Sequence, residues 1–192
     1  MIESRGIIMS KAAVICTDNV EEVECLTVVD FLRRAGVEVE MISRTDKLEI
    51  CGAHGIVFMA DSIMEDVLDP EAYDAIILPG GAGWEALYAD YRVRDSVLEF
   101  SQNRKLTAAI CASPGIFARL GILNGRRATI YPGMEVDEYE VQWMDKAVVQ
   151  ADHIITGQGP AKAAEFAIAL IGYLEGRGKE SEIREQVIME YA

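Results

Sequence analysis

A cysteine stands where a buried strand gives way to a helix, and this position could make its thiol a nucleophile. Cys111 follows an apolar run at 106–110 and precedes Ser113 and Pro114, a pair typical of a helix start. The turn would lift the sulfur out of the sheet, and the helix N-terminus would favour a thiolate and lower the thiol pKa. This is the cysteine counterpart of a nucleophile elbow. The alternative is a small buried core residue, since free cysteine is among the most buried residue types.

A carboxylate near the start of the first predicted helix is the second candidate. Glu21, Glu22 and Glu24 crowd the first turn, where acidic side chains complement the helix macrodipole. Glu24 comes three residues after Glu21, so it can share the face that points back over the sheet edge. A carboxyl group beside a thiol can donate a hydrogen bond to the sulfur or act as a general acid or base.

A glycine pair follows another buried strand and could hold an anion. Gly80 and Gly81 come directly after Pro79 and allow close approach of the backbone, which leaves N–H groups free. The alternative is a tight turn without chemistry. The glycines at 80–83 lack the G-x-G-x-x-G spacing and the ribose-binding acid of a dinucleotide site, so such a site is not expected.

These three candidates depend on an alternation of strand-like and helix-like segments along the chain. Because ligands gather outside the carboxyl ends of parallel strands, the alternation would bring Cys111, the glycine pair and the acidic turn to one edge. Predicted strands cover 12–17, 37–42, 48–51, 56–59, 75–78, 106–110, 128–131 and 147–156, the last interrupted by a turn at 151–152. Predicted helices cover 21–35, 84–89, 92–103, the segment after Cys111 to Leu120, 160–174 and 179–191.

Length and charge limit the possible functions. The 192 residues suffice for one domain, and we predict a single domain over 1–192 with an N-terminal extension at 1–8. The net charge of −14 argues against nucleic-acid binding. The sequence has neither an apolar run of about 18 residues for a membrane span nor the pattern of a signal peptide at its start. A cytoplasmic protein that binds no membrane is therefore expected.

The cysteines and histidines do not form a metal-binding pattern. Without a secretory signal, we expect the four cysteines to be reduced thiols. No CxxC spacing suggests zinc, and the two histidines are too scattered for a three-histidine site, so no metal is expected. The residues concerned are Cys16, Cys25, Cys51, Cys111, His54 and His153.

From residue 9 to about residue 190 the chain resembles the ThiJ/PfpI superfamily and, within it, the DJ-1 subfamily. The order and spacing of several segments carry the resemblance: NVEEVE at 19–24, VVDFLRRAG at 28–36, YD at 73–74, LPGG at 78–81, AAICA at 108–112 and TGQGP at 156–160. The resemblance implies a flavodoxin-like three-layer α/β sandwich with a mostly parallel sheet, helices on both faces and a cysteine elbow. It also implies a homodimer.

By resemblance, each candidate residue receives a role. Cys111 matches the reactive cysteine of the family, and Glu24 matches the acid that hydrogen-bonds it. Gly81 and Ala112 match the positions whose N–H groups form an oxyanion pocket, to which we add Gly80 as a binding residue. No cofactor is implied.

The chain departs from its relatives at two positions. Tyr131 stands where the DJ-1 subfamily often has a histidine, and tyrosine is a poor general base at pH 7. Ala112 stands where the protease-like and chaperone-like branches place a histidine, so peptidase or amidotransferase activity is not expected.

Two further histidines are open to interpretation. His54 aligns near a loop whose basic residue faces the partner subunit and the mouth of the site. It is either an auxiliary proton-transfer group or a loop or interface residue. His153 is interpreted as structural.

Two functions from different classes use the same residues. The first is a glyoxalase III-like or deglycase-like enzyme that converts small α-oxoaldehydes such as methylglyoxal through Cys111 and Glu24. The second is a redox-sensing or chaperone-like stress-protection protein in which Cys111 is oxidised to a sulfinate. Both place a small oxygen-bearing group between the same amides, so the two differ in turnover rather than in architecture.

Overall fold

The computed structural model, which describes residues 9–189, has a central seven-stranded sheet, and short apolar runs form its inner strands. The strands of the protein are β1 (Lys11–Cys16), β2 (Glu38–Ser43), β3 (Glu49–Cys51), β4 (Val57–Met59), β5 (Ser62–Ile63), β6 (Ala75–Leu78), β7 (Leu106–Ile110), β8 (Arg127–Ala128), β9 (Gln142–Trp143), β10 (Val148–Ala151) and β11 (Ile154–Gly157). The helices are α1 (Glu22–Arg34), α2 (Trp84–Ala89), α3 (Tyr91–Gln102), α4 (Pro114–Arg119) and α5 (Ala163–Gln186).

The central sheet is parallel except at one edge. Its strand order is β10-β11-β7-β6-β1-β2-β5, and only the pairing of β10 with β11 is antiparallel. β3 and β4, which lie within the predicted strands at 48–51 and 56–59, form a separate antiparallel hairpin. β6 lies between β1 and β7 in the sheet. The loops that follow these three parallel strands therefore meet at one edge of the sheet.

The central strands are buried on both faces because helices cover each side. Successive side chains of a strand point to opposite faces. Val14 and Cys16 of β1 therefore pack in the core formed with α1 and α5. Ala13 and Ile15 pack in the second core, formed with α2, α3 and α4. This arrangement confirms the predicted three-layer α/β sandwich.

Capping fixes where α1 begins and ends, and so where Glu24 lies. The side chain of Glu21 accepts a hydrogen bond from the Glu24 N–H at 2.8 Å, which satisfies one free donor of the first turn. Arg34 lies in the last turn, where a cation complements the helix dipole. Gly36 has a φ of 86°, the left-handed conformation that ends many helices.

The predicted strand at 128–131 is wrong beyond its first residue. β8 covers only Arg127–Ala128. The Thr129 N–H binds the side-chain hydroxyl of Thr156 at 2.9 Å, and the Tyr131 N–H binds the carbonyl oxygen of Cys111 at 2.9 Å. Because these two N–H groups already bind the Thr156 hydroxyl and the Cys111 carbonyl oxygen, they are not available for hydrogen bonds to a neighbouring strand.

The predicted helices at 160–174 and 179–191 form one helical segment with a break. Pro160–Lys162 is a short 3₁₀ turn, and α5 follows to Gln186. Gly176, with φ 84° and ψ 168°, interrupts the helical backbone between the two predicted parts. The last predicted residues and the predicted extension at 1–8 lie outside the described residues. Within residues 9–189, no helix has the length and apolar character required to cross a bilayer.

Candidate active site at the carboxyl ends of the central strands

Cys111 directly follows β7 in a backbone conformation that few non-glycine residues adopt. Its φ is 64°. Three hydrogen bonds hold the turn: the Cys111 N–H donates to the Gly157 oxygen at 3.0 Å, the Tyr131 N–H donates to the Cys111 oxygen at 2.9 Å, and the Ser113 hydroxyl donates to the Pro79 oxygen at 2.6 Å. Such strain persists only where the surroundings fix it, and it is common at functional sites.

Glu24 is completely buried and holds its carboxyl group beside this thiol. Its Oε2 accepts a hydrogen bond from the Gly80 N–H at 2.8 Å. Burial raises the pKa of Glu24 to about 7, against the lowering effect of hydrogen bonds with Gly80 and with the Cys111 thiol. Oε1 is buried and has no well-formed hydrogen bond within the described chain, so a proton can sit there without displacing a donor. Near neutral pH, Glu24 is therefore partly protonated, so it can act either as an acid or as a base.

The two reactive side chains converge on Gly80. A Cβ atom at this position would lie 2.5 Å from Cys111 Cβ, 3.0 Å from Cys111 Sγ and 2.6 Å from Glu24 Oε2. Only glycine fits there. The structure corrects the assignment of Gly80 to the anion pocket, because its N–H is already bound by Glu24.

Two other N–H groups, those of Gly81 and Ala112, act on the Cys111 sulfur and lower the pKa of its thiol. Gly81 has a φ of 90°, and a Cβ there would come within 2.4 Å of the Glu21 nitrogen. The glycine therefore allows the loop after β6 to turn its amide toward the thiol. Two amides beside the sulfur can stabilise a negatively charged oxygen, either on the sulfur itself or on a carbon bonded to it.

The predicted low pKa of the Cys111 thiol is wrong in this structure. Burial, followed by the charge of Glu24, raises the pKa of Cys111 to about 12, although the Gly81 and Ala112 amides lower it. Cys111 is 8% exposed, and α4 is only six residues long, so its dipole is too weak to offset desolvation. The thiol therefore needs a base to ionise, and Glu24 is adjacent.

Tyr131 lies beside the elbow at a cavity. Its backbone binds Cys111, and its ring lies against Gly159, where a Cβ would be 3.3 Å from Cδ2. Its side chain is half-exposed. The ring lines a cavity of about 330 Å³ together with Pro132 and residues 158–162.

His54 pairs with Glu22 rather than with the thiol. His54 Nδ1 lies 2.9 Å from Glu22 Oε2, and the His54 N–H donates to Glu22 Oε1 at 2.7 Å. Burial acts to raise the pKa of Glu22, but the hydrogen bonds from the His54 ring and from nearby N–H groups outweigh it and lower the pKa to about 2. In turn, Glu22 raises the pKa of His54. The ring contacts place His54 at the start of α1.

The side chains around His54 include three potential metal ligands. Glu21, Glu22 and His54 bring one potential ligand atom each within 4.8 Å of one another. However, one Glu21 oxygen caps α1, and both Glu22 oxygens bind His54. These carboxylate oxygens therefore already serve in the cap of α1 and in the pair between Glu22 and His54.

Other residues of the site escaped the sequence reasoning. Gly157 accepts the Cys111 N–H, and Ser113 ties the elbow to Pro79. Gly157 lies inside the TGQGP motif, and this motif is the one feature of the sequence that indicates a role for it. His153, interpreted as structural, is buried, and its Nε2 lies 3.4 Å from the Ser101 hydroxyl.

A cysteine on a strained strand-to-helix turn, a buried acid beside it and a parallel α/β sandwich together define a class of cysteine-elbow α/β proteins. Within that class, the chain belongs to the DJ-1/PfpI family, whose model matches residues 10–172. The family predicted from the motifs is thereby confirmed.

Comparison with individual relatives agrees. The chain is 32% identical over 188 residues to Protein dj-1beta of Drosophila melanogaster, which covers 95% of this chain and all of the relative. It is 29% identical to Protein DJ-1 homolog B of Arabidopsis thaliana, but spans only 40% of that protein's length.

Solved structures show the same fold. The crystal structure of Drosophila melanogaster DJ-1beta has a TM-score of 0.86 at 28% identity, with 96% of this chain and all of that chain covered. The oxidised Toxoplasma gondii DJ-1 has a TM-score of 0.85 at 29% identity, with 95% and 100% covered.

Proposed function

We propose that this protein is a cofactor-independent enzyme that converts small α-oxoaldehydes, of which methylglyoxal is the simplest test, into α-hydroxy acids. The observation that carries the proposal is the buried Glu24, with a pKa near 7, beside a thiol that faces two amide donors. A thiol of high pKa requires a neighbouring base, and Glu24 is that base. Cys111 is 8% exposed, so a small aldehyde has some access to its side chain.

In the first step, the Cys111 sulfur adds to the aldehyde carbon. Glu24 takes the thiol proton as the carbon–sulfur bond forms, and the aldehyde oxygen gains negative charge. The Gly81 and Ala112 N–H groups stabilise this oxygen. Proton transfer to the oxygen completes a hemithioacetal.

In the second step, the hemithioacetal rearranges and is hydrolysed. Glu24 removes the proton from the former aldehyde carbon, which gives an enediol, and a proton returned to the neighbouring carbon gives a thioester of the hydroxy acid. Water then attacks the thioester and frees Cys111. The balance is one aldehyde and one water to one hydroxy acid, which is lactate for methylglyoxal, without net oxidation.

Lactate formation without glutathione tests this proposal. We expect turnover by the wild-type chain and by Cys51→Ser, which removes an exposed thiol outside the site. We expect none by Cys111→Ser. Equal rates in Cys111→Ser and wild type would overturn the proposal.

A second function is favoured by one specific observation. The Gly81 and Ala112 donors and the Glu24 acid could equally hold the oxygens of an oxidised cysteine, and an oxidised form exists among the structures this chain is similar to. In that function, Cys111 becomes a sulfinate after reaction with peroxide, as the chemical signal of a redox sensor or stress-protection protein. Mass spectrometry that finds two added oxygens on Cys111, in a chain without lactate turnover, would select this function.

We also propose a homodimer. Exposed apolar side chains cluster where β4 and its preceding loop approach α1: Val23, Ile56, Val57 and Met59 are each more than half exposed. The His54–Glu22 pair joins the two parts of this surface. A second copy of the chain would bury these side chains.

A further inference from the structure

Two thiols outside the proposed catalytic group lie in contact with each other. Cys16 ends β1 and Cys25 lies in α1, immediately after Glu24. Their Sγ atoms are 3.4 Å apart, and both side chains have no solvent exposure. Both are free thiols. The mechanism described above uses neither of them.

The surroundings of this pair are apolar and buried. Cys16 and Cys25 belong to the same buried core as Val14, Val20 and Val28. A disulfide bond is about 2.05 Å long, so the two sulfur atoms need to approach by roughly 1.4 Å. Rotations of the two side chains can supply such a movement, because β1 and α1 are already packed against each other.

We propose that Cys16 and Cys25 form a second redox site, at which a peroxide converts the two thiols into an intramolecular disulfide. One sulfur attacks the peroxide, which breaks the oxygen–oxygen bond and leaves a sulfenic acid and water. The other sulfur displaces the hydroxyl of the sulfenic acid, which forms the sulfur–sulfur bond and a second water. The thiols lose two protons and two electrons, and hydrogen peroxide is reduced to two molecules of water.

Burial determines the order in which the cysteines react. Cys111 is 8% exposed, whereas the pair is not exposed at all. The hydrogen bond with Cys25, and then burial, raise the pKa of Cys16, so its thiolate is scarce. The pair therefore reacts after Cys111, during local opening of the first turns of α1.

The disulfide would fasten α1 to β1 beside the acid. Glu24 precedes Cys25 directly, so the bond would restrain the turn that carries the carboxyl group. Because the bond closes a loop from residue 16 to residue 25, it would also stabilise the fold through the unfolded state.

Thiol counting in a chain that keeps only this pair tests the proposal. In Cys51→Ser/Cys111→Ser protein, alkylation under denaturing conditions should find two free thiols before exposure to hydrogen peroxide and none afterwards. Dithiothreitol should restore both. The thermal midpoint should rise by about 5 °C on oxidation. Since this chain lacks Cys111, the result does not depend on the proposed function.

A matched variant and the wild-type chain complete the test. Adding Cys25→Ala to the same background should leave one thiol that forms no intramolecular bond. In the wild-type chain, a glutamyl endopeptidase that cleaves between the two cysteines should yield cross-linked Cys16 and Cys25 peptides. Two free thiols in these peptides, in protein whose Cys111 is already oxidised, would overturn the proposal, as would separate oxidation of each sulfur to a sulfinate.

Discussion

The chemistry of the site depends on whether the buried carboxyl group of Glu24 or the buried thiol of Cys111 holds a proton. Glu24 has a pKa near 7 and Cys111 a pKa near 12, so at neutral pH the thiol keeps its proton and the acid is partly ionised. In the proposed mechanism, ionised Glu24 is the base that takes the thiol proton. The same burial that prepares this base makes its charge costly, so function and stability oppose each other at this residue.

Glu24→Gln should separate these two effects. The folded pKa of Glu24 lies above the value of an exposed glutamate, so the folded chain binds the extra proton. Stability is therefore fully present below the unfolded pKa and is lost as pH rises toward 7. A shift from 4.5 to about 7 corresponds to about 3 kcal/mol. We expect Glu24→Gln to be more stable than wild type at pH 8, with no such gain at pH 4, and to lose activity at least 100-fold.

Urea denaturation at both pH values measures this difference, and Glu99→Gln, on the exposed side of α3, serves as the control. Parallel stability curves of wild type and Glu24→Gln across this pH range would show that the Glu24 carboxyl group is not perturbed.

At the scale of elements, the site is formed by the segments that follow three adjacent strands. The loop after β1 leads into α1, whose first turn carries Glu24; the loop after β6 carries Gly80 and Gly81, and the turn after β7 carries Cys111. These strands are adjacent in the sheet. Gly80 is the point where the three loops touch, because it binds Glu24 and leaves no room for a side chain.

Gly80→Ala should therefore damage the site more than the fold. The new methyl group would meet Cys111 Cβ at 2.5 Å and Glu24 Oε2 at 2.6 Å, which forces the acid and the thiol apart. We expect lactate formation to fall more than 100-fold and the free energy of unfolding to fall by about 1–3 kcal/mol. Gly178→Ala is the control, because a Cβ there meets nothing within 4 Å. Unchanged activity in Gly80→Ala would contradict this account of the geometry.

At the scale of the whole molecule, the proposed homodimer would cover the apolar surface around β4. We expect the wild-type chain to be a dimer in light scattering after size-exclusion chromatography. Val57→Glu should shift it to the monomer mass, because a buried unpaired charge opposes association. Tyr91→Glu, which places the same charge at an equally exposed side chain of α3, should leave the dimer intact. A monomeric wild-type chain would refute the proposed homodimer.

Periodicity and turn residues were enough to predict the layered fold and the neighbourhood of Cys111, Glu24 and Gly81, because these depend on local pattern and on the order of parallel strands. Contacts that depend on tertiary packing were beyond this reasoning. The side chain of Thr156 cuts β8 short, and His54 turns to Glu22. The high pKa of Cys111 comes from burial and from a carboxylate that is distant in sequence.

Counting turnovers of the wild-type chain tests the central claim most directly. Methylglyoxal in large excess over protein, without glutathione or added cofactor, should yield many equivalents of lactate per chain, with lactate formed in step with aldehyde consumed. Lactate that stops at or below one equivalent per chain, or aldehyde lost without lactate, would contradict the claim that Cys111 and Glu24 form a catalytic pair.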